Sequence, residues 1–340
     1  MPISPMRWQP PKDLRFTGDF KANQRLAELE RLPIGDNHGP EDAALWQGLI
    51  YTVSQNGNII GINPLNQSVT ILANTGGVPL GVEVNPKNNH LILADAYKGL
   101  LSISPSGQVS TLTNMVDGSP IQYADDIDIA DDGMMYFSDA STKFGAKAIG
   151  NTLAASLLEL MEHGSTGRLL AYNPTDKSTH IVATGFAFAN GVAIHPDGDV
   201  LLLETGAYSL HKINPQTGAK RTILSNLPGF PDNINRGPDL ANGKASYFIG
   251  LISPRSDWLD KNATQIGARK FAMRLPAFMR PKAVPYVHIV HIDEDGTVLT
   301  TFQDPKGSYH EATGAVVIGD YIYITSLTET SLARRPYPIH

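Results

Sequence analysis

Cysteine is absent from the 340 residues. That removes disulfides, zinc–thiolate centres and cysteine nucleophiles at one stroke. It fits any redox compartment and so gives no address. No run of about 18 apolar residues occurs, so the sequence offers no transmembrane helix. The first residues, MPISPMRWQPP, lack an apolar core and do not read as a signal peptide; they read as a Pro-rich, extended stretch over 1–16. Basic residues are in the minority, 27 against 33 acidic, for a formal net charge of −6. No basic stripe interleaves with aromatics, which argues against nucleic acid as a partner. What remains is an ordinary globular balance, 41% hydrophobic and 18% charged, with ample length for a core.

Repetition dominates the rest. Strand-like runs recur, each followed by a turn: GLIYTV, HLILADA, MMYFSDA, VLLLETG, ASYFIGL and YIYITSL. Each leads into a further strand or two joined by turns such as NPLNQ, SPSG, NPTDK, NPQTG and DEDG. Six such units, with a period of about 40 to 55 residues, point to an all-β, six-bladed propeller. A doubly wound α/β fold would need helices between the strands, and the connectors are too short and too rich in Gly and Pro. The expected organisation is a single domain over 17–340. Two partly helical inserts interrupt it, at about 143–166 and 253–285, and are expected to form a rim or a cap. The second alternates apolar Ile266, Phe271, Met273, Leu275, Phe278 and Met279 with Lys and Arg; it is a candidate for touching a membrane. Loops this long are uncommon without a task.

Four acidic or amide patches recur in phase with the repeat: Glu41-Asp42, Asp125-Asp126, Asn190 and Asp232-Asn233. Each precedes the first long apolar run of its unit, and those runs (GLIYTV, MMYFSDA, VLLLETG, ASYFIGL) are read as the innermost strands. Residues at one end of the innermost strands converge on a propeller axis. Oxygen ligands gathered there would suit Ca²⁺, which takes about six to eight oxygens in tolerant geometry, although other divalent metals remain open. The second and sixth units carry Leu80 and Thr313 in the equivalent place, giving apolar or small walls. An apolar rim above a metal suits an uncharged, oxygen-bearing substrate. Glu204 is read as an inner-strand residue near the site, and Asp95 and Asp139 as blade-to-blade hydrogen-bonding groups. His38 and His310 lie near the expected mouth and could shuttle protons; His288 and His291 alternate within a strand.

The segments GPED (Gly39–Asp42), PLGVEVNP (Pro79–Pro86), LADAYKGLL (Leu93–Leu101), YFSDAS (Tyr136–Ser141), GRLLAYNP (Gly167–Pro174), FANGVAI (Phe188–Ile194) and LPGFPDNI (Leu227–Ile234) resemble the strictosidine-synthase-like family. That family lies within the wider group of calcium-dependent six-bladed propellers that includes paraoxonases and regucalcin-type gluconolactonases. The resemblance implies that Glu41, Asn190 and Asp232 hold a catalytic metal with Asn233 as a further ligand. Asp125 stands where most relatives have Asn. Asp42 and Asp126 match positions that hold a second, structural Ca²⁺ in paraoxonases. It implies hydrolysis of lactones or aryl esters, with Asp232 or Asp125 as the catalytic carboxylate. The alternatives are a phosphotriesterase and a non-catalytic propeller that uses calcium only for rigidity. The condensation run by true strictosidine synthases is not expected, because the Glu it needs on the last blade aligns with Gly314, and Glu311 is out of register. The paraoxonase histidine pair is also unmatched, one of its positions being Leu80. Bacterial proteins of similar sequence often carry a hydrophobic anchor just before a segment like Pro2–Pro11, so a periplasmic or membrane-anchored location is favoured over a cytoplasmic one.

Overall fold

Six four-stranded antiparallel sheets stand around one axis in the computed structural model, which describes residues 3–276, 279–280 and 283–338. Phe278, part of the apolar set read in the second insert, and Pro2 lie outside the described residues. In chain order the blades begin with the strands Ala43–Trp46, Pro79–Asn85, Ala124–Ile129, Ala189–Ile194, Gly229–Arg236 and Ala312–Ile318. These first strands pack against one another from blade to blade, so they are the innermost ones.

This corrects one expectation. The long apolar runs are the second strands of their blades, not the first. His90–Asp95 and Val200–Glu204 are buried along almost their whole length because a neighbouring blade covers each face. The innermost strands line a tunnel instead, and their sequences (PLGVEVN, ADDIDI, ANGVAI) interrupt the apolar run with Glu, Asp, Asn or Gly.

The hydrophobic core is therefore divided among the blade interfaces. One cluster joins Trp46, Val53 and Ile59 of the first blade to Val82, Leu93 and Leu101 of the second. Another joins Leu169 and Ala171 of the third to Val192, Leu202 and Ile213 of the fourth. The turns fall where the sequence places them. Asn63, for example, accepts from the backbone N–H of Leu65 at 2.9 Å and Asn66 at 3.2 Å, closing the NPLNQ hairpin with its own side chain.

The sixth blade is completed by the chain's beginning. Glu30–Pro33 pairs antiparallel with Ser331–Pro336, in the register Glu30 to Arg334. The Arg334 guanidinium meets Glu30 at 2.8 Å across that seam. Four residues without periodicity carry no sequence signal for this closure.

Both inserts are partly helical. The first gives α1 (Ala146–Ile149) and α2 (Thr152–Glu162), the latter capped by Asn151, which accepts from Ala154 N–H at 2.7 Å. The second gives α3 (Asp257–Lys261) and α4 (Ile266–Ala272). The N-terminal segment is laid between them. Met6 N–H donates to Glu162 O at 2.8 Å, and Trp8 stacks on His163 at 4.1 Å. Arg269, fully buried, donates to carbonyls of Met6, Met161 and Ala263, tying the segment, α2 and the second insert together.

Candidate metal centre

Five of the six innermost strands lose register with their partners at the same place, while Ala43–Trp46 of the first blade pairs without a shift. The shifts fall between Pro79 and Gly81, Ala124 and Ile127, Ala189 and Val192, Pro231 and Ile234, and Ala312 and Ala315. A bulge bends the strand and re-aims side chains that regular pleating would alternate. Those intervals contain Leu80, Asp125-Asp126, Asn190, Asp232-Asn233 and Thr313. Glu41-Asp42 stands just before the first strand of blade one. The common phase read in the sequence is thus a common backbone irregularity.

At one end of the tunnel a cavity of about 50 Å³ is lined by Glu41, Leu80, Asp125, Asn190 and Asp232, one residue from each of the first five blades. All five are buried. Thr313, from the sixth, turns away and donates to Glu41 O at 2.6 Å. Asn233 Nδ2 donates to the same carbonyl at 3.0 Å, so both fix the Glu41 backbone. Asn190 Nδ2 donates to Asp232 Oδ1 at 2.5 Å and to Thr205 Oγ1 at 3.1 Å. Glu41 Oε2, Asn190 Oδ1, Asp232 Oδ2 and Asn233 Oδ1 are buried without any hydrogen-bond partner.

Orphaned oxygens in a dry site are costly, and here they cluster. Burial, then the neighbouring Asp125 and Asp232 charges, push the Glu41 carboxyl well above its usual range. Burial and then Asp232 do the same to Asp125. Burial lifts Asp232 to about 7, the Asn190 hydrogen bond restraining the rise and Glu311 adding to it. Among the described residues, no three His, Cys, Asp or Glu are already drawn together as a metal cluster. The set on the axis is mixed instead, with carboxylate and amide oxygens. Its unpartnered oxygens fit a hard divalent cation, which would satisfy them and relieve the crowded charge.

The ceiling is apolar. Leu153 and Leu160 of α2, Phe188, Ile252 and Leu327 close over the oxygens, with Tyr123 and Ser156 at the side. Tyr123 donates to Thr152 O at 3.0 Å and so pins the start of α2. None of these residues was singled out from the sequence. The helix was legible, but its seat over the mouth depends on the distant contacts of Tyr123 and Arg269.

Several expected site residues stand elsewhere. Glu204, at the end of a second strand, accepts from Ala187 N–H and pairs with His211 at 2.8 Å. Asp139 and Asp95 occupy the same place in their blades. Asp139 accepts from Tyr123 N–H and from Arg168, and Asp95 from Val78 N–H. All three bind backbone within their own blade, not between blades. His38 is exposed, and His310 pairs with Glu329 at 3.0 Å with much of its side chain in solvent; neither lines the cavity. Glu311 accepts from Thr328 Oγ1. His288 and His291 are buried in the fifth blade among aromatic rings.

The blade-to-blade bonds come from the other member of each acidic pair. Asp42 accepts from Val82 N–H at 2.9 Å, and Asp126 from Val192 N–H at 2.8 Å. Two residues on, Asp128 repeats the contact on Ile194 N–H at 2.7 Å. Gly81 and Gly191 let the following blades close in as well, the second on the third and the fourth on the fifth. A Cβ on Gly81 would stand 2.8 Å from Asp126 Oδ1, and one on Gly191 would stand 2.6 Å from Asp232 O. Asp42, Glu83, Asp126, Asp128, Asn235 and Arg236 border a second cavity of about 340 Å³ at the opposite end of the tunnel. Glu83 and Asp128 were missed in the sequence, although the alternation of ADDID carries the signal for Asp128.

A six-bladed propeller with a bulge-built cluster of oxygens at one end of its axis defines the class. Residues 125–227 match the family profile for strictosidine synthase, and residues 18–62 that for the strictosidine synthase-like N-terminal region. The strictosidine synthase-like 6 protein of Arabidopsis thaliana is 32% identical over 92% of this chain and 83% of its own. The adipocyte plasma membrane-associated protein of Salmo salar is 29% identical over 90% of this chain and 79% of its own. The chain belongs to the strictosidine synthase-like family. Among solved structures, a gluconolactonase from Xanthomonas campestris superposes with a TM-score of 0.64 at 15% identity, covering 99% of this chain and 98% of that one. The calcium-binding protein regucalcin from Agrobacterium tumefaciens superposes at 0.57 and 11% identity, covering 90% of each chain. These likenesses show the shared propeller fold.

Proposed function

We propose that the chain is a calcium-dependent hydrolase of lactones or aryl esters. The reading is carried by one observation: unpartnered, buried oxygens of Glu41, Asn190 and Asp232 on a cavity that Asp125 also borders, with a fourth on Asn233, next to Asp232 in the chain. These five residues would hold the metal. When bound, the cation supplies Lewis-acid polarisation of a carbonyl oxygen.

The residues do the rest. Asp232, whose Oδ2 is buried and unpartnered beside the cavity, is placed to accept a proton from water. Asn190 orients it through the 2.5 Å bond and is itself fixed by Thr205. Asp125, across the same cavity, is the second carboxylate able to take that part. Among the described residues no histidine or basic side chain borders the cavity, so base chemistry falls to carboxylates. Leu80, Leu160, Phe188 and Leu327 exclude water and favour an uncharged ester over an anion. The gluconolactonase and regucalcin likenesses support this reading through their shared fold.

The test is turnover of phenyl acetate and a panel of γ- and δ-lactones, with Ca²⁺ and after chelation. Metal-dependent turnover is expected. A specific observation favours a second reading, a calcium-stabilised binding propeller: the cavity is only about 50 Å³ and α2 is pinned over it at both ends. Calcium binding with no turnover of any ester, lactone or phosphotriester would select it.

A further inference from the structure

The charge balance of this acidic protein is reversed on one element, although two of its cations, Arg255 and Arg269, are buried. The insert 253–285 carries seven basic residues and two acidic ones, leaving twenty basic against thirty-one acidic for the rest of the chain. Both acids are engaged: Asp257 pairs with Arg15 at 3.0 Å, and Asp260 accepts from Tyr208 at 2.9 Å. On α2, Glu159 and Glu162 are buried and hydrogen-bonded. Arg7, Lys261, Lys270 and Arg274 face solvent on the same cap.

Large apolar side chains accompany them. Met6 is 58% exposed, Phe271 64%, Met279 55%, Leu153 43% and Leu157 38%. Leu153 and Leu157 are one turn apart on α2 and share a face. Met6 is bonded through its backbone to the end of α2 and to Arg269 of α4, two residues before Phe271. Other exposed apolar residues lie away from the cap, Leu65 and Ile71 on the first blade, Met115 on a two-stranded ribbon and Leu299 on the fifth blade. Leu153 is also part of the cavity ceiling, so the apolar exterior continues into the mouth.

We infer that this cap, formed by the N-terminal segment, α2 and the second insert, docks on an anionic lipid surface. Exposed apolar side chains and cations on one face are what an interfacial protein presents to such a surface, and neither feature alone would select it. Docking places the α2 edge of the cavity against the bilayer, from which an apolar ester can reach the oxygens without crossing bulk water. The docking itself does not depend on the hydrolysis proposed above.

The test is co-sedimentation with vesicles of phosphatidylcholine, alone and with added phosphatidylglycerol. Binding to the anionic vesicles, weakened by salt, and little to the neutral ones is expected. Replacing two cations, Lys270→Ala with Arg274→Ala, lowers the partition constant about thirty-fold. Leu157→Glu with Phe271→Glu abolishes it, circular dichroism and melting temperature reporting that the fold is kept. Phe271→Trp supplies a gain of signal: its emission shifts to the blue on anionic vesicles. Equal partition into both vesicles, no partition, or unchanged binding in the charge variant would overturn the inference. So would a dimer that Phe271→Glu dissociates, since the face would then serve self-association.

Discussion

The two ends of the tunnel use neighbouring residues for opposite purposes. Glu41 and Asp42 are adjacent in sequence, as are Asp125 and Asp126. Asp42 and Asp126 spend their oxygens on the backbone N–H groups of Val82 and Val192 in the next blade. Glu41 leaves Oε2 buried without a partner, and Asp125 borders the same cavity. Composition is the same at both ends. In the third blade the bulge between Ala124 and Ile127 decides which carboxylate becomes a staple between blades and which becomes a free ligand. A pair of acids in a strand is therefore not one functional unit.

The comparison is broken most easily through the free set. Asp232→Asn is expected to lower ester turnover at least about a hundredfold, the scale of a lost general base. Its melting temperature in chelator stays level or rises, because a crowded charge is removed. A large loss of stability would instead place Asp232 with the staples.

Metal removal is the next largest effect. A cation at about a hundred times its Kd stabilises the fold by about 2.7 kcal/mol. Chelation should lower the melting temperature accordingly, and Glu41→Gln should remove most of that response.

The stapling set predicts the reverse pattern. Asp126→Ala leaves the buried Val192 N–H unpaired, at a cost of about 1–3 kcal/mol in chemical denaturation. Turnover per folded molecule should stay within a few-fold of the parent. A collapse of turnover with unchanged stability would dissolve the distinction between the two ends.

The smallest effect is one of pH. Burial, then the Asp128 charge, lifts Glu83 to about 8 at the staple end. In the unfolded chain its carboxyl ionises near its ordinary value of 4.5. Between those values the folded state holds a proton that the unfolded state has released, so stability is full below 4.5 and falls as pH rises toward 8. Glu83→Gln should flatten that fall, with or without Ca²⁺. Parallel curves for parent and variant would show that Glu83 is not held protonated.

Much of this was legible in advance, for a physical reason. Blade interfaces need unbroken apolar strands, and Asx turns such as that at Asn63 punctuate them, so six units and their phase can be read directly. The innermost strands were misassigned because the strongest apolar runs, such as VLLLETG, belong to the second strands; the tunnel-facing strands are interrupted by polar residues or Gly. Glu204, Asp139 and Asp95 looked like site or inter-blade groups, but they lie at the ends of second strands and brace the loop entering their own blade. The roof of the cavity was hidden because Leu153 and Leu160 reach it only through a helix whose seat is set by Tyr123 and Arg269, far away in sequence. The closing strand Glu30–Pro33 is too short to declare itself.

Calorimetric titration of chelator-stripped protein with Ca²⁺ addresses the axial oxygens most directly. The parent should bind, and Glu41→Gln and Asp232→Asn should each weaken that binding sharply while Asp126→Asn, at the other end, leaves it nearly unchanged. No binding by the parent, or equal binding by all four proteins, would contradict the placement of a cation among Glu41, Asp125, Asn190, Asp232 and Asn233.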